Sequence, residues 1–167
     1  FAVNLAAVEG QWTPPDSVTP IRMWGFIPDP GSCPVTPAAW NVGPLQVGTA
    51  GANLTIQLRN CLSEPVSIVI AGQSATLTPQ VTPGGRVRAF THEAPVGGTA
   101  TYTWNNIKAG TFLYQSGSNP ARQVHMGLYG ALKVGQYTEA SNDVLLLFSE
   151  IDPALHATAA LATPLTY

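Results

Sequence analysis

Short β-prone runs, cut at close intervals by proline and glycine clusters, follow one another along almost the whole chain, and this spacing reads as an all-β sandwich. The clearest run is residues 53–60 (NLTIQLRN). There Leu54, Ile56 and Leu58 point one way and Thr55, Gln57 and Arg59 the other, the two-residue period of a half-buried strand. Further strands are expected at residues 1–9, 18–27, 84–92, 99–104, 110–115 and 127–134, and residues 65–70 (PVSIVI) read as a more fully buried run. Residues 41–47 read as an edge strand, because Pro44 has no amide to donate to a ladder. Residues 95–98 form a turn, and residues 28–37, carrying Cys33, and 116–123 form loops. The character changes near residue 140. Residues 143–150 are strongly apolar and residues 151–162 are alanine-rich with a helical look that Pro164 ends. The expected organisation is a sandwich over residues 1–140 and an apolar tail over 141–167. The tail is either one more strand and a capping helix or a linker toward a second domain.

Charged residues make up only 10% of the chain, against a usual quarter. The surface must therefore be covered mainly by Ser, Thr, Asn, Gln, Gly and Pro, which suits packing against other domains or subunits, including homo-oligomeric assembly. Two Lys and five Arg lie scattered and the net charge is −2, so the clustered cations that displace counterions from nucleic acid are missing. Apolar runs such as residues 144–148 are far too short to cross a bilayer as a helix. With no initiator Met, Phe1 reads as the start of a mature or trimmed chain. Cys33 and Cys61 stand 28 positions apart. A lone pair in a Pro-rich, Lys-poor chain suggests a disulfide formed in an oxidising compartment, with two buried thiols as the alternative. Closing that loop stabilises a fold by about 3–4 kcal/mol in the chain-entropy treatment. The expected location is secreted, periplasmic or cell-surface. Asn53-Leu54-Thr55 matches a glycosylation sequon, but it lies inside a strand-like run and carries little weight.

The most specific stretch is residues 110–134, GTFLYQSGSNPARQVHMGLYGALKV. It reads as strand, loop, strand, with Gly127 and Gly130 permitting close backbone approach beside Leu128 and Tyr129. It resembles the ligand-bearing hairpin of cupredoxins, and MGLYGALKV resembles the matching stretch of multicopper oxidase domains. EAPVGGTATYTW (93–104), NLTIQLRNCLSEPVSIVIAG (53–72) and LLLFSEIDPALH (145–156) resemble further segments of the first domain of that family. The resemblance covers nearly the whole chain. It implies a Greek-key, cupredoxin-like β-sandwich; periodicity alone leaves any Greek-key sandwich open.

In the family that this chain resembles, the first domain supplies two His-x-His pairs to a three-copper cluster. Alternate residues of a strand share a face, and imidazoles bind copper well. The resemblance puts the first pair at Val69 and Ala71 and the second at Gln115 and Gly117. None is His. Val and Ala offer no donor atom, and a glutamine amide is a poor copper ligand. A mononuclear blue-copper site would need a thiolate where Ser116 stands and a His where Asn119 stands, leaving only Met126 as an axial partner. No copper or other cofactor is therefore expected in this chain.

The remaining candidates are His92, His125, His156, Met23, Met126, Cys33 and Cys61, and no two His share metal-ligand spacing. His125 and Met126, adjacent on an extended segment, would face opposite sides, so His125 reads as a surface or hydrogen-bonded residue. His92 reads as half of a polar pair with Glu93 at a strand end, and His156 as a tail residue able to touch a neighbouring domain. Ser116 is not a hydrolase elbow, since no helix is expected after it. No carboxylate pair or phosphate loop is readable. The first expectation is a copper-free structural or interaction domain derived from a multicopper oxidase. The alternatives are a self-assembling extracellular subunit, suggested by low charge and unpaired edges, and the N-terminal part of an active oxidase whose copper lies in other domains.

Overall fold

The computed structural model describes residues 1–135 and 144–160. In chain order these form β1 (Ala2–Trp12), β2 (Ile21–Pro28), β3 (Ala38–Ala39), β4 (Gly43–Gly48), β5 (Leu54–Asn60), β6 (Val69–Ile70), β7 (Gln80–Val81) and β8 (Val87–Ala89). They continue with β9 (Thr99–Trp104), β10 (Gly110–Gln115), α1 (Pro120–Gln123), β11 (Tyr129–Val134) and α2 (Pro153–Ala160). The fold is an all-β, Greek-key, cupredoxin-like sandwich. One sheet runs β2-β1-β5-β9, with β3 beside the end of β1; the other runs β4-β11-β10-β6; β7 and β8 form a small separate ribbon.

The alternation over 53–60 sets the register of the first sheet. Leu54, Ile56 and Leu58 are wholly buried while Gln57 is exposed. β5 pairs in parallel with β1 and antiparallel with β9, so both of its edges are covered. Leu5, Trp24, Phe26 and Trp104 from this sheet meet Ile70, Tyr114, Leu132 and Val134 from the other in one core. Burying each such side chain contributes about 1.5–3 kcal/mol. β4 is an edge strand, as Pro44 requires. Its carbonyl at Pro44 accepts the Tyr114 hydroxyl at 2.7 Å. Gly130 lies opposite Tyr114 in the β10–β11 ladder, and a Cβ there would come 2.3 Å from the phenol ring. Gly127, at φ 114°, would clash with the Trp24 carbonyl at 2.5 Å. These are the close approaches read from the sequence.

Cys33 and Cys61 form a disulfide that ties the loop after β2 to the end of β5. Arg59 donates to Asp29 at 2.9 Å beside it, reinforcing the same junction.

Several elements differ from the sequence reading. Of residues 65–70 only β6 is a strand. Pro65 has no amide, and Val66 forms a bridge with Ala94 instead. Of residues 84–92 only β8 is a strand, because Gly85 turns the chain back at φ 79° and Phe90 donates instead to Gly117. The 116–123 loop contains the single turn α1, opened by Asn119 in the left-handed region and Pro120 in the first turn. That turn continues through bonds from Met126 N to Arg122 O and from Gly127 N to Val124 O. β11 therefore starts at Tyr129, and His125 and Met126 are not on an extended segment. Residues 144–150 form no strand. The tail does become helical as α2, where Asp152 Oδ1 accepts from the amides of Ala154 and Leu155. The proposed helix end at Pro164 lies outside the described residues, as does the expected boundary at residues 140–141.

Candidate functional site

β6 and β10 run antiparallel with Val69 opposite Gln115. The ladder continues on both sides: Ala71 donates to Leu113 O at 3.1 Å and Gly117 to Ser67 O at 3.4 Å. Val69, Ala71, Gln115 and Gly117 therefore occupy neighbouring positions on one side of the second sheet, opposite the side on which Ile70 and Tyr114 enter the core. The resemblance assigns these four positions to two His-x-His pairs, and the side chains present do not fit copper. Val69 and Ala71 carry only carbon, Gly117 carries nothing, and Gln115 offers one amide. At Gly117 itself there is no room for a side chain, for a Cβ there would meet Val69 Cγ1 at 2.8 Å and Ser67 Oγ at 3.0 Å.

The residues that the resemblance would put at a blue-copper site are engaged elsewhere. Ser116 is fully buried; its Oγ donates to Gln123 Oε1 at 2.6 Å and accepts from the Ser118 amide at 3.1 Å. Gln123 Nε2 donates in turn to Glu64 Oε1 at 2.7 Å and Pro65 O at 2.9 Å. Ser118 and Ser67 share a hydroxyl–hydroxyl bond of 2.9 Å. Arg122 pairs with Glu64 at 3.2 Å and lies over the Trp24 ring at 5.4 Å. Asn119 is exposed and shapes the turn by its backbone, and Met126 is wholly buried in the core. The loop is thus tied down by a polar network of its own, in which Glu64, Ser67, Ser118 and Gln123 take parts that no sequence motif announces. A helical turn does follow Ser116, contrary to the sequence reading, but the serine hydroxyl is buried and bonded to Gln123, so it does not form a nucleophile elbow.

The histidines also differ from expectation. His92 does not pair with Glu93; it stacks on Tyr102 at 4.5 Å with Nε2 3.0 Å from Thr101 O, while Glu93 pairs with Arg88. His156 is fully buried against its own chain. Its Nδ1 lies 2.9 Å from Arg22 O, and its ring centroid lies 5.1 Å from that of His125. The fold therefore joins two imidazoles 31 residues apart that spacing did not connect. Among the described residues, no three His, Cys, Asp or Glu side chains converge as a metal site. No helix among them is long and apolar enough to cross a membrane.

A cupredoxin-type sandwich is the class that the fold defines, and the side chains at the positions that the resemblance assigns to copper are not copper ligands. The multicopper oxidase family model matches residues 41–139, and the chain belongs to that family. Solved structures with the same fold include a multi-copper oxidase from Pseudomonas thermotolerans (21% identity, TM-score 0.60, 80% of this chain and 29% of that one). Others are a copper nitrite reductase from Nitrosomonas europaea (23%, 0.59, 80% and 41%) and a laccase from Botrytis aclada (22%, 0.59, 81% and 22%). The chain thus spans well under half the length of each. No curated protein matches the sequence.

Proposed function

We propose that this chain is a non-catalytic, copper-free cupredoxin domain that serves as a structural and interaction module within a multicopper-oxidase-derived protein. The observation that carries this reading is the side-chain content of the β6–β10 junction: Val69, Ala71, Gln115 and Gly117 stand where ligands would be needed. The self-bonded 116–123 loop supports it, since a metal is not required to order those residues. Exposed apolar side chains on β4 and the tail, Leu45, Val47, Leu146 and Phe148, favour contact with other domains or subunits. We assign residues 1–140 to the sandwich and 141–167 to a tail that reaches a neighbour. The disulfide favours a secreted, periplasmic or cell-surface location.

A second reading is favoured by length. The chain spans 22–41% of the three solved relatives above, which fits the N-terminal part of a larger oxidase with copper held by other domains. Metal analysis of the protein refolded with excess copper, combined with an oxidase assay on a phenolic substrate, tests the first reading. It expects no stoichiometric copper and no turnover; bound copper with turnover overturns it. The same assay on the full-length natural protein distinguishes the second.

A further inference from the structure

Helix α2 touches the sandwich at β2, and among residues 151–157 only His156 is fully buried. The anchor of the tail is thus a titratable side chain in a place where leucine would be the ordinary choice. Its Nδ1 faces a carbonyl, Arg22 O, so that nitrogen carries the proton and donates. Nε2 then holds a lone pair, is closed to solvent, and makes no hydrogen bond of good geometry. His125 packs against it at 5.1 Å with its own Nε2 buried and unpartnered. From these contacts we infer that His156, packed on His125, is a pH-sensitive latch: it holds α2 on β2 while its imidazole is neutral and releases it on acidification.

A second proton on His156 would put a cation in a buried place beside another imidazole. Burial holds the His156 imidazole below its ordinary 6.5, and charge on His125 pushes the same way. The Arg22 carbonyl, the His125 backbone and the Asp152 carboxylate oppose this. The other charged groups around the pair are engaged: Arg22 with Glu9, and Arg122 with Glu64. Glu150 lines the cleft beside His125. Docked His156 therefore binds fewer protons than undocked His156. Docking is fully favourable above about pH 6.5 and weakens as pH falls below it, by up to about tenfold per unit for one proton.

Hydrogen exchange on the full chain, read by mass spectrometry as protection factors at pH 7.5, 6.5 and 5.5, tests the latch. Protection across Pro153–Ala160 should fall up to about tenfold per unit below pH 6.5 while Leu54–Asn60 stays constant. His156→Phe should remove that slope, and NMR should place the His156 titration midpoint below 6.5. A pH-independent α2, a parallel loss in both segments, an unchanged slope in His156→Phe, or a midpoint at or above 6.5 each overturns the inference.

Discussion

Replacing Ser116 with Ala removes the hydroxyl at the centre of the polar network that holds the 116–123 loop. Two groups lose their partner: Gln123 Oε1, which receives its proton, and the Ser118 amide, which donates to it. Both residues are about 99% buried, so water does not replace the missing oxygen. A buried polar group left unpaired costs about 1–3 kcal/mol, and two such groups predict a loss of about 2–6 kcal/mol. Gln123 keeps its bonds to Glu64 and Pro65, which hold its amide in place and prevent it from turning away to recover a partner. Urea denaturation followed by tryptophan fluorescence measures the effect, with the slope unchanged and the midpoint lowered. Ser63→Ala, an exposed serine in the preceding loop, is the control and should stay within about 0.5 kcal/mol of the parent. A Ser116→Ala loss below 1 kcal/mol would show that the loop is held by something other than this network.

Three further perturbations have defined outcomes. Replacing Cys33 and Cys61 together with Ser should cost about 3.6 kcal/mol in chemical denaturation, the loop-entropy value for their separation, and a loss under 1 kcal/mol would contradict it. Gly130→Ala should destabilise by about 1–3 kcal/mol, because the new methyl group meets the Tyr114 ring; in a Tyr114→Phe background, where the ring remains, the cost should persist. The Arg59 guanidinium holds the Asp29 carboxyl below its ordinary 3.8, so its contribution is complete above that value and fades as pH falls through the lower folded value. Asp29→Asn should flatten the acid limb of a stability–pH curve below pH 4, and an unchanged limb would remove Asp29 from the account.

What the sequence shows depends on how local the cause is. β5, β9 and β10 were legible because an alternating pattern bounded by turn residues specifies a strand without help from afar. The burial expected over 65–70 holds, but β6 and β8 are shorter than the runs at 65–70 and 84–92, because pairing rather than apolar content decides which residues join a ladder. That Val69 and Gln115 meet across the β6–β10 ladder is a matter of strand register, which the resemblance alone does not give. The bonds that hold the 116–123 loop were not legible: Ser67 and Ser118 are 51 residues apart, and Glu64 and Gln123 are 59 apart. Neither pair has a spacing that secondary structure would reveal. The same holds for His125 and His156, joined only because a turn after α1 and a helix in the tail meet at β2.

The central claim concerns four side chains at the β6–β10 junction, and anomalous scattering from crystals grown with excess copper tests it most directly. Difference maps collected at the copper absorption edge should show no peak within bonding distance of Val69, Ala71, Gln115 or Gly117. A full-occupancy copper ion beside Gln115 would contradict the account.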